Sequence, residues 1–309
     1  MKKGFFVIVT LLMSVGFMAQ QDVQLTHFTF DRLSINPGFA GSKQAICATG
    51  FFRQQWTGFD GAPTTALLNA HMPLTRTNIG VGLTLISDKL GNETNTMVRG
   101  SGSYHFDNIG NGKLGLGVSL GMVSKAINAD WIALDGIESD ESIPNNNRSA
   151  GVFDVSLGAY YYTPKMYVGI SSTHLTEGDL TDMNYSVARH YYLMAGYTHN
   201  LSSDFDLEPA ILVKSDGAAT IFDLNVRGIY KDLVWLGLTF RMDDAISPMA
   251  GFNYNFPDNR NSIKIGYSYD LTTSEIKNHS SGTHEIMLNY CKKLFKPLPK
   301  KIYKNVRFL

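Results

Sequence analysis

A chain of 309 residues with zero formal net charge and 17% charged residues lacks the clustered Lys and Arg that phosphate backbones require, which excludes nucleic acid as a partner. Gly (29), Phe (18) and Tyr (15) are abundant. No stretch beyond the first residues is apolar for the roughly 18 or more residues of a membrane-spanning helix, which leaves an exported all-β protein or a transmembrane barrel.

The chain opens Met1-Lys2-Lys3, followed by an apolar run from Gly4 to Val15 and then Gly16-Phe17-Met18-Ala19-Gln20. A charged start, a short apolar stretch and small residues predict a secretory signal peptide over 1–19. Cleavage is expected after Ala19, with Ser14-Val15-Gly16 as the alternative. Residues 20–42 are then expected as a periplasmic or lumen segment, 43–295 as a barrel and 296–309 as a basic periplasmic tail.

Period-two alternation, the signature of strands with two unlike faces, recurs along the chain. Leu114, Leu116, Val118, Leu120 and Met122 share one face, while Gly115, Gly117, Ser119 and Gly121 share the other. Val234, Leu236, Leu238 and Phe240 alternate with Trp235, Gly237, Thr239 and Arg241, and Ile263, Ile265, Tyr267 and Tyr269 with Ser262, Lys264, Gly266, Ser268 and Asp270. Strands are predicted near 43–56, 64–74, 79–90, 93–106, 113–127, 150–163, 165–175, 188–201, 207–215, 219–230, 233–243, 246–256, 261–272 and 283–294. Many reach the roughly 9–11 residues of a membrane strand rather than the 5–6 of globular sheets. The longest links follow odd-numbered strands and the shorter ones follow even-numbered strands. Outer-membrane barrels have this asymmetry between extracellular loops and periplasmic turns. The expectation is an all-β transmembrane antiparallel β-barrel of about 14 strands, with both termini periplasmic.

Four blocks carry further information. Residues 25–42 lead through aromatics into Asn36, Pro37, Phe39, Ala40 and Gly41. Then come Arg53, Gln55, Trp56, Gly58, Phe59, Gly61 and Pro63; His71 and Pro73; and Gly80, Gly82, Asp88 and Gly91. Physically, Pro37 reads as a turn ahead of the first strand, Trp56 as a boundary aromatic, and Gly58, Gly61 and Pro63 as a tight connection. In this order and spacing the blocks resemble the PorP/SprF family of outer-membrane proteins of the type IX secretion system. Beyond about residue 130 the likeness is one of texture.

The resemblance implies a role in supporting secretion or surface attachment of cargo that carries a C-terminal sorting domain, such as adhesins and gliding-motility proteins. It implies outer-membrane lipid and other periplasmic or outer-membrane secretion components as partners. Trp56, Phe59 and Asp60 are candidates for a partner contact. A porin or a channel for hydrophobic substrates is the alternative, with residues 21–41 partly filling the lumen and Arg53, Arg241, Lys264 and Asp270 lining it.

Enzymatic chemistry is not expected. His71, His105, His174 and His190 fall on different predicted strands, without Ser or Asp at a recognisable motif, and no G-x-S-x-G, H-E-x-x-H or C-x-x-C is present. Asp135, Glu138, Asp140 and Glu141 offer oxygen ligands but not the spaced calcium-loop pattern, so no metal or cofactor is expected. The two cysteines, Cys47 and Cys291, lie near the start of the first strand and the end of the last. Barrel closure pairs those strands antiparallel and sets the cysteines near each other on the lumen face, where an exported protein can form a disulfide.

Overall fold

The computed structural model describes residues 22–58, 60–129, 146–183 and 185–294. The expected signal peptide, Phe59, the acidic loop around Asp135 and the basic tail lie outside the described residues. The strands are β1 (Ala45–Gln54), β2 (Thr64–Pro73), β3 (Ile79–Leu90), β4 (Glu93–Ile109), β5 (Gly112–Ile127), β6 (Arg148–Tyr162) and β7 (Met166–Thr173). A small hairpin, β8 (Asp179–Leu180) and β9 (Tyr185–Ser186), decorates the next link. Then follow β10 (His190–Tyr197), β11 (His199–Asn200), β12 (Phe205–Ser215), β13 (Thr220–Tyr230), β14 (Val234–Arg241), β15 (Ala245–Asn255), β16 (Asn261–Thr272) and β17 (Thr283–Lys293).

Each long strand pairs antiparallel with its sequence neighbour, and β1 pairs with β17 to close the sheet into a 14-strand barrel. The segment predicted over 188–201 is interrupted at Thr198. Opposite the break lies the Glu208–Pro209 pair, where Pro209 has no N–H to donate, and pairing resumes at His199 with Leu207.

Alternation settles the two faces. Leu116, Leu120, Leu238 and Phe240 are among a row of outward side chains 46–52% exposed, whereas Ser119, Thr239 and Arg241 point inward and are buried. An outer surface this apolar over all strands is a lipid-facing belt, and the polar residues form the interior. Val118 sits mid-strand on the outer row. Val118→Arg is therefore expected to cost about 2–4 kcal/mol of barrel stability, and Val118→Leu almost nothing. Heat-modifiable gel mobility and urea midpoints read the difference; equal behaviour of the two variants would show that this row does not face lipid. Ser119, on the opposite face, is sealed inside packed protein, so an Arg there has no water to reach.

Two ends of the barrel can be defined. At the entry end the chain joins the wall at Ala45 and leaves it at Lys293; β1 ends at the far end, at Gln54. The interior is filled by residues 22–42. Phe28, Leu33, Ile35, Phe39 and Ala40 pack on Tyr160, Tyr192, Met194 and Leu212, and Leu25 packs among Phe51, Leu67, Trp235, Met249 and Met287.

Candidate functional site

The N-terminal segment is a plug that runs the length of the bore. Asp22 lies against Thr173, His174 and His190 at the far end, where β7 stops and β10 starts. Thr26 and His27 remain at that end, Arg32 reaches Tyr160 lower down, and Gly41 meets His71 close to the entry end. Leu294, the last described residue, bonds to Gln44 at the entry end. The first and last described residues therefore occupy opposite ends of the barrel; the termini themselves, expected on the periplasmic side, lie outside the described residues. The opposite placement follows from the plug's direction: it enters beside β1 and climbs rather than hanging below the barrel.

The Asn36-Pro37-x-Phe39-Ala40-Gly41 motif seats the lower half of the plug. Pro37–Phe39 form a single 3-10 turn capped by the Asn36 side chain, which accepts from the Gly38 N–H at 2.9 Å. The Asn36 amide also donates to the carbonyls of Ala159 (3.0 Å) and Ile170 (3.1 Å), joining the turn to β6 and β7. The Ala40 carbonyl accepts from the Ser103 hydroxyl at 2.6 Å and is 2.7 Å from His105 Nε2. Phe39 packs edge-on to His71 and Tyr160, with centroids 4.8 and 5.3 Å apart. Plug backbone touches wall backbone here. A Cβ at Gly117 would lie 2.3 Å from the Pro37 carbonyl carbon, and one at Gly80 would lie 2.1 Å from the Ala40 oxygen. Only a residue without Cβ permits that approach. Gly41 itself crosses over Gly80 and Pro73.

The upper half is held by buried charge. Arg53 donates to Glu285 Oε2 (2.9 Å) and Asp270 Oδ2 (2.7 Å), with all three side chains no more than 2% exposed. Glu285 in turn accepts the backbone N–H groups of Thr26 and His27 at 2.8 Å each, and its Oε1 lies 2.7 Å from His27 Nδ1. Arg241 binds Asp223 at 2.9 Å and reaches the Leu25 carbonyl. In a water-poor interior such pairs hold only when every partner is present. Arg53, Arg241 and Asp270 thus fasten the plug instead of lining an open channel.

At the entry end the plug leaves a cavity of about 220 Å³, walled by Arg32, Lys43, Tyr160, Tyr167, Glu208 and Arg227 among others. Arg32 stacks on Tyr167 at 3.7 Å and Arg227 pairs with Glu208. Lys43, an exposed side chain just ahead of β1, also borders this vestibule. The vestibule is strongly cationic.

The remaining motif residues form the far-end link between β1 and β2. The Gln55 N–H donates to the Pro63 carbonyl (2.8 Å) and the Trp56 N–H to Thr283 Oγ1 (3.1 Å). Gly58 lies against Ser281, and Asp60 is exposed in the same link. Cys47 and Cys291 are directly opposed in the β1–β17 register, point inward and form a disulfide with Cα atoms 4.1 Å apart. The sequence reading missed Glu285 as Arg53's partner, although register carries it. If 47 faces 291, then 53 faces 285. It also missed the contact of Asp22 with His174 and His190, which no local motif signals.

A closed sheet with a lipid-facing belt and an inward-folded N-terminus defines a plugged outer-membrane β-barrel. The family described as type IX secretion system membrane protein PorP/SprF matches residues 17–290, and the chain belongs to it. Among solved structures it is similar to the CymD monoaromatic hydrocarbon channel (TM-score 0.54, 14% identity, covering 85% of this chain and 92% of that one). The Pseudomonas putida toluene transporter TodX gives TM-score 0.51 at 11% identity, covering 85% and 93%. The Ralstonia pickettii toluene transporter TbuX gives 0.50 at 12%, again covering 85% and 93%. At these identities the likeness is one of fold. No curated protein matches significantly by sequence.

Proposed function

We propose that this outer-membrane component of type IX secretion acts as a non-conducting, non-enzymatic scaffold that supports secretion or surface attachment of cargo bearing a C-terminal sorting domain, such as an adhesin used in gliding. The observation that carries the scaffold reading is the plug, which fills the bore with packed side chains and backbone bonded to the wall. The far-end link with Trp56, Phe59 and Asp60 would face outside and meet cargo, while the cationic vestibule would face periplasmic components of the machine. Purified from its own membrane, the protein is expected to bring down a secreted surface protein and to lie silent in planar bilayers. Large open conductance without such a companion would overturn the reading.

The topology behind it has its own test. A cysteine inserted within 138–148 or 274–281 should react with an impermeant reagent on intact cells, whereas one at 108–111 or 257–260 should react only after permeabilisation. Labelling of 108–111 on intact cells would invert the barrel.

A second reading, passage of hydrophobic molecules, draws on the shared fold with hydrocarbon channels and on the apolar lining that Val23, Leu25, Phe28, Ile35 and Leu212 give the space beside the plug. Saturable binding of a monoaromatic hydrocarbon by the purified barrel would favour it.

A further inference from the structure

The far-end tip of the plug meets the wall through three side chains that the function above does not use. His174 follows β7, His190 opens β10, and Asp22 stands on the plug between them. One donor atom from each lies within 4.8 Å of the others. His174 Nε2 is 3.0 Å from Asp22 Oδ1, and His190 Nε2 accepts the Asp22 N–H at a long 3.3 Å. Both imidazoles are buried, whereas the Asp22 side chain is 23% exposed.

What sets the group apart from an ordinary buried histidine pair is the set of atoms behind it. His174 Nδ1 lies 3.1 Å from Asp154 Oδ1, and Asp154 is itself fixed by Arg99 at 2.8 Å. His190 Nδ1 lies 3.0 Å from the Ala188 carbonyl. His174 thus sets Nδ1 against an acceptor and turns Nε2 to the Asp22 carboxylate, whereas His190 turns Nε2 to the Asp22 N–H and its Nδ1, beside the Ala188 carbonyl, lies 3.9 Å from Asp22 Oδ2. A carboxylate or carbonyl behind each ring is the outer shell that metal-binding histidines use to fix tautomer and direction. The Tyr192 hydroxyl donates to Asp22 Oδ2 at 2.6 Å, which occupies one carboxylate oxygen and leaves Oδ1 for a single metal bond. Lys214 donates to the Asp22 carbonyl at 2.8 Å and holds the plug tip in place.

We infer that Asp22, His174 and His190 form a binding site for a divalent d-block cation of the Zn2+ class. Two imidazoles and one carboxylate are a zinc donor set, and ligands at about 2.0–2.2 Å from a tetrahedral ion stand about 3.4 Å apart. The His174–Asp22 spacing already approaches that separation, and the partly exposed position of Asp22 lets the third donor close in. Metal binding displaces any proton held at the two Nε2 atoms into solvent, and the long Asp22 N–H contact with His190 is given up. Water completes the coordination. The two wall ligands flank the β7–β10 link and the third belongs to the plug, so the ion would pin the plug tip to the wall.

The test uses the full mature barrel in detergent, freed of metal with a chelator and titrated with ZnCl2 by calorimetry. Uptake of one equivalent is expected, together with tetrahedral visible absorption when Co2+ replaces Zn2+. His174→Ala and His190→Ala should each weaken binding roughly a hundredfold or more, and Asp154→Asn roughly 10- to 100-fold as a positioning residue. His199→Ala, at an exposed histidine elsewhere, should change nothing. Asp22→Asn lies outside the wall, so it keeps the barrel's heat-modifiable mobility and should still abolish uptake. Zn2+ should also slow protease cleavage within 22–41 in the native chain but not in Asp22→Asn. Absence of saturable uptake, or uptake that these variants leave intact, overturns the site and reduces the group to a hydrogen-bonded latch.

Discussion

Deletion of residues 22–35 is expected to turn a silent barrel into a conducting one. Eight-stranded barrels are filled by their own side chains, while those of 16–18 strands leave an aqueous channel. A 14-strand wall stripped of its plug belongs nearer the second case. The deletion removes Leu25, Phe28, Leu33 and Ile35, and with them the plug's share of the interior apolar clusters. The strands retain their pairing, and Arg53 retains Glu285 and Asp270. Single-channel recording should show steady open conductance for the deletion and none for the native chain. A deleted barrel that keeps heat-modifiable mobility yet stays silent would mean that the wall itself occludes the bore.

The second large effect concerns Arg53. Arg53→Ala leaves the carboxylates of Glu285 and Asp270 buried without their cation, and breaking a buried pair in this way costs about 3–5 kcal/mol. The loss should appear as a lower urea midpoint and as protease access to the plug, because Glu285 also holds Thr26 and His27. Adding Glu285→Gln removes one stranded charge, so the double variant should regain part of the loss. A single variant as stable as the native chain would show that water reaches the cluster.

The strand pattern was legible because period two is a local property. Leu116, Val118 and Leu120 face outward whatever the interior holds. The Cys47–Cys291 pairing was legible from closure alone. The same rows misled about what lay inside. Gly115 and Gly117 read only as the small-residue face of a strand, yet Gly117 is small because Pro37 presses on it. Nothing near residue 117 records that contact, whose partner lies 80 positions upstream. The site at the plug tip was illegible for the same reason. Asp22 precedes the barrel in sequence, and only the fold carries it past the whole bore to His174 and His190.

The cross-link between Cys47 and Cys291 has a topological consequence. With a sequence separation of 244 it makes the wall a covalent loop, and residues 22–42 pass lengthwise through that loop. The chain is therefore a lasso, with the plug as its thread and the wall as its noose. Separating strands by breaking hydrogen bonds cannot release a thread from a closed noose; only sliding the N-terminal segment back through can. While the disulfide is intact, plug release is reptation, and the order of events in assembly matters. A chain oxidised before its N-terminal segment has entered must feed that segment in end first, whereas a reduced chain can close around it.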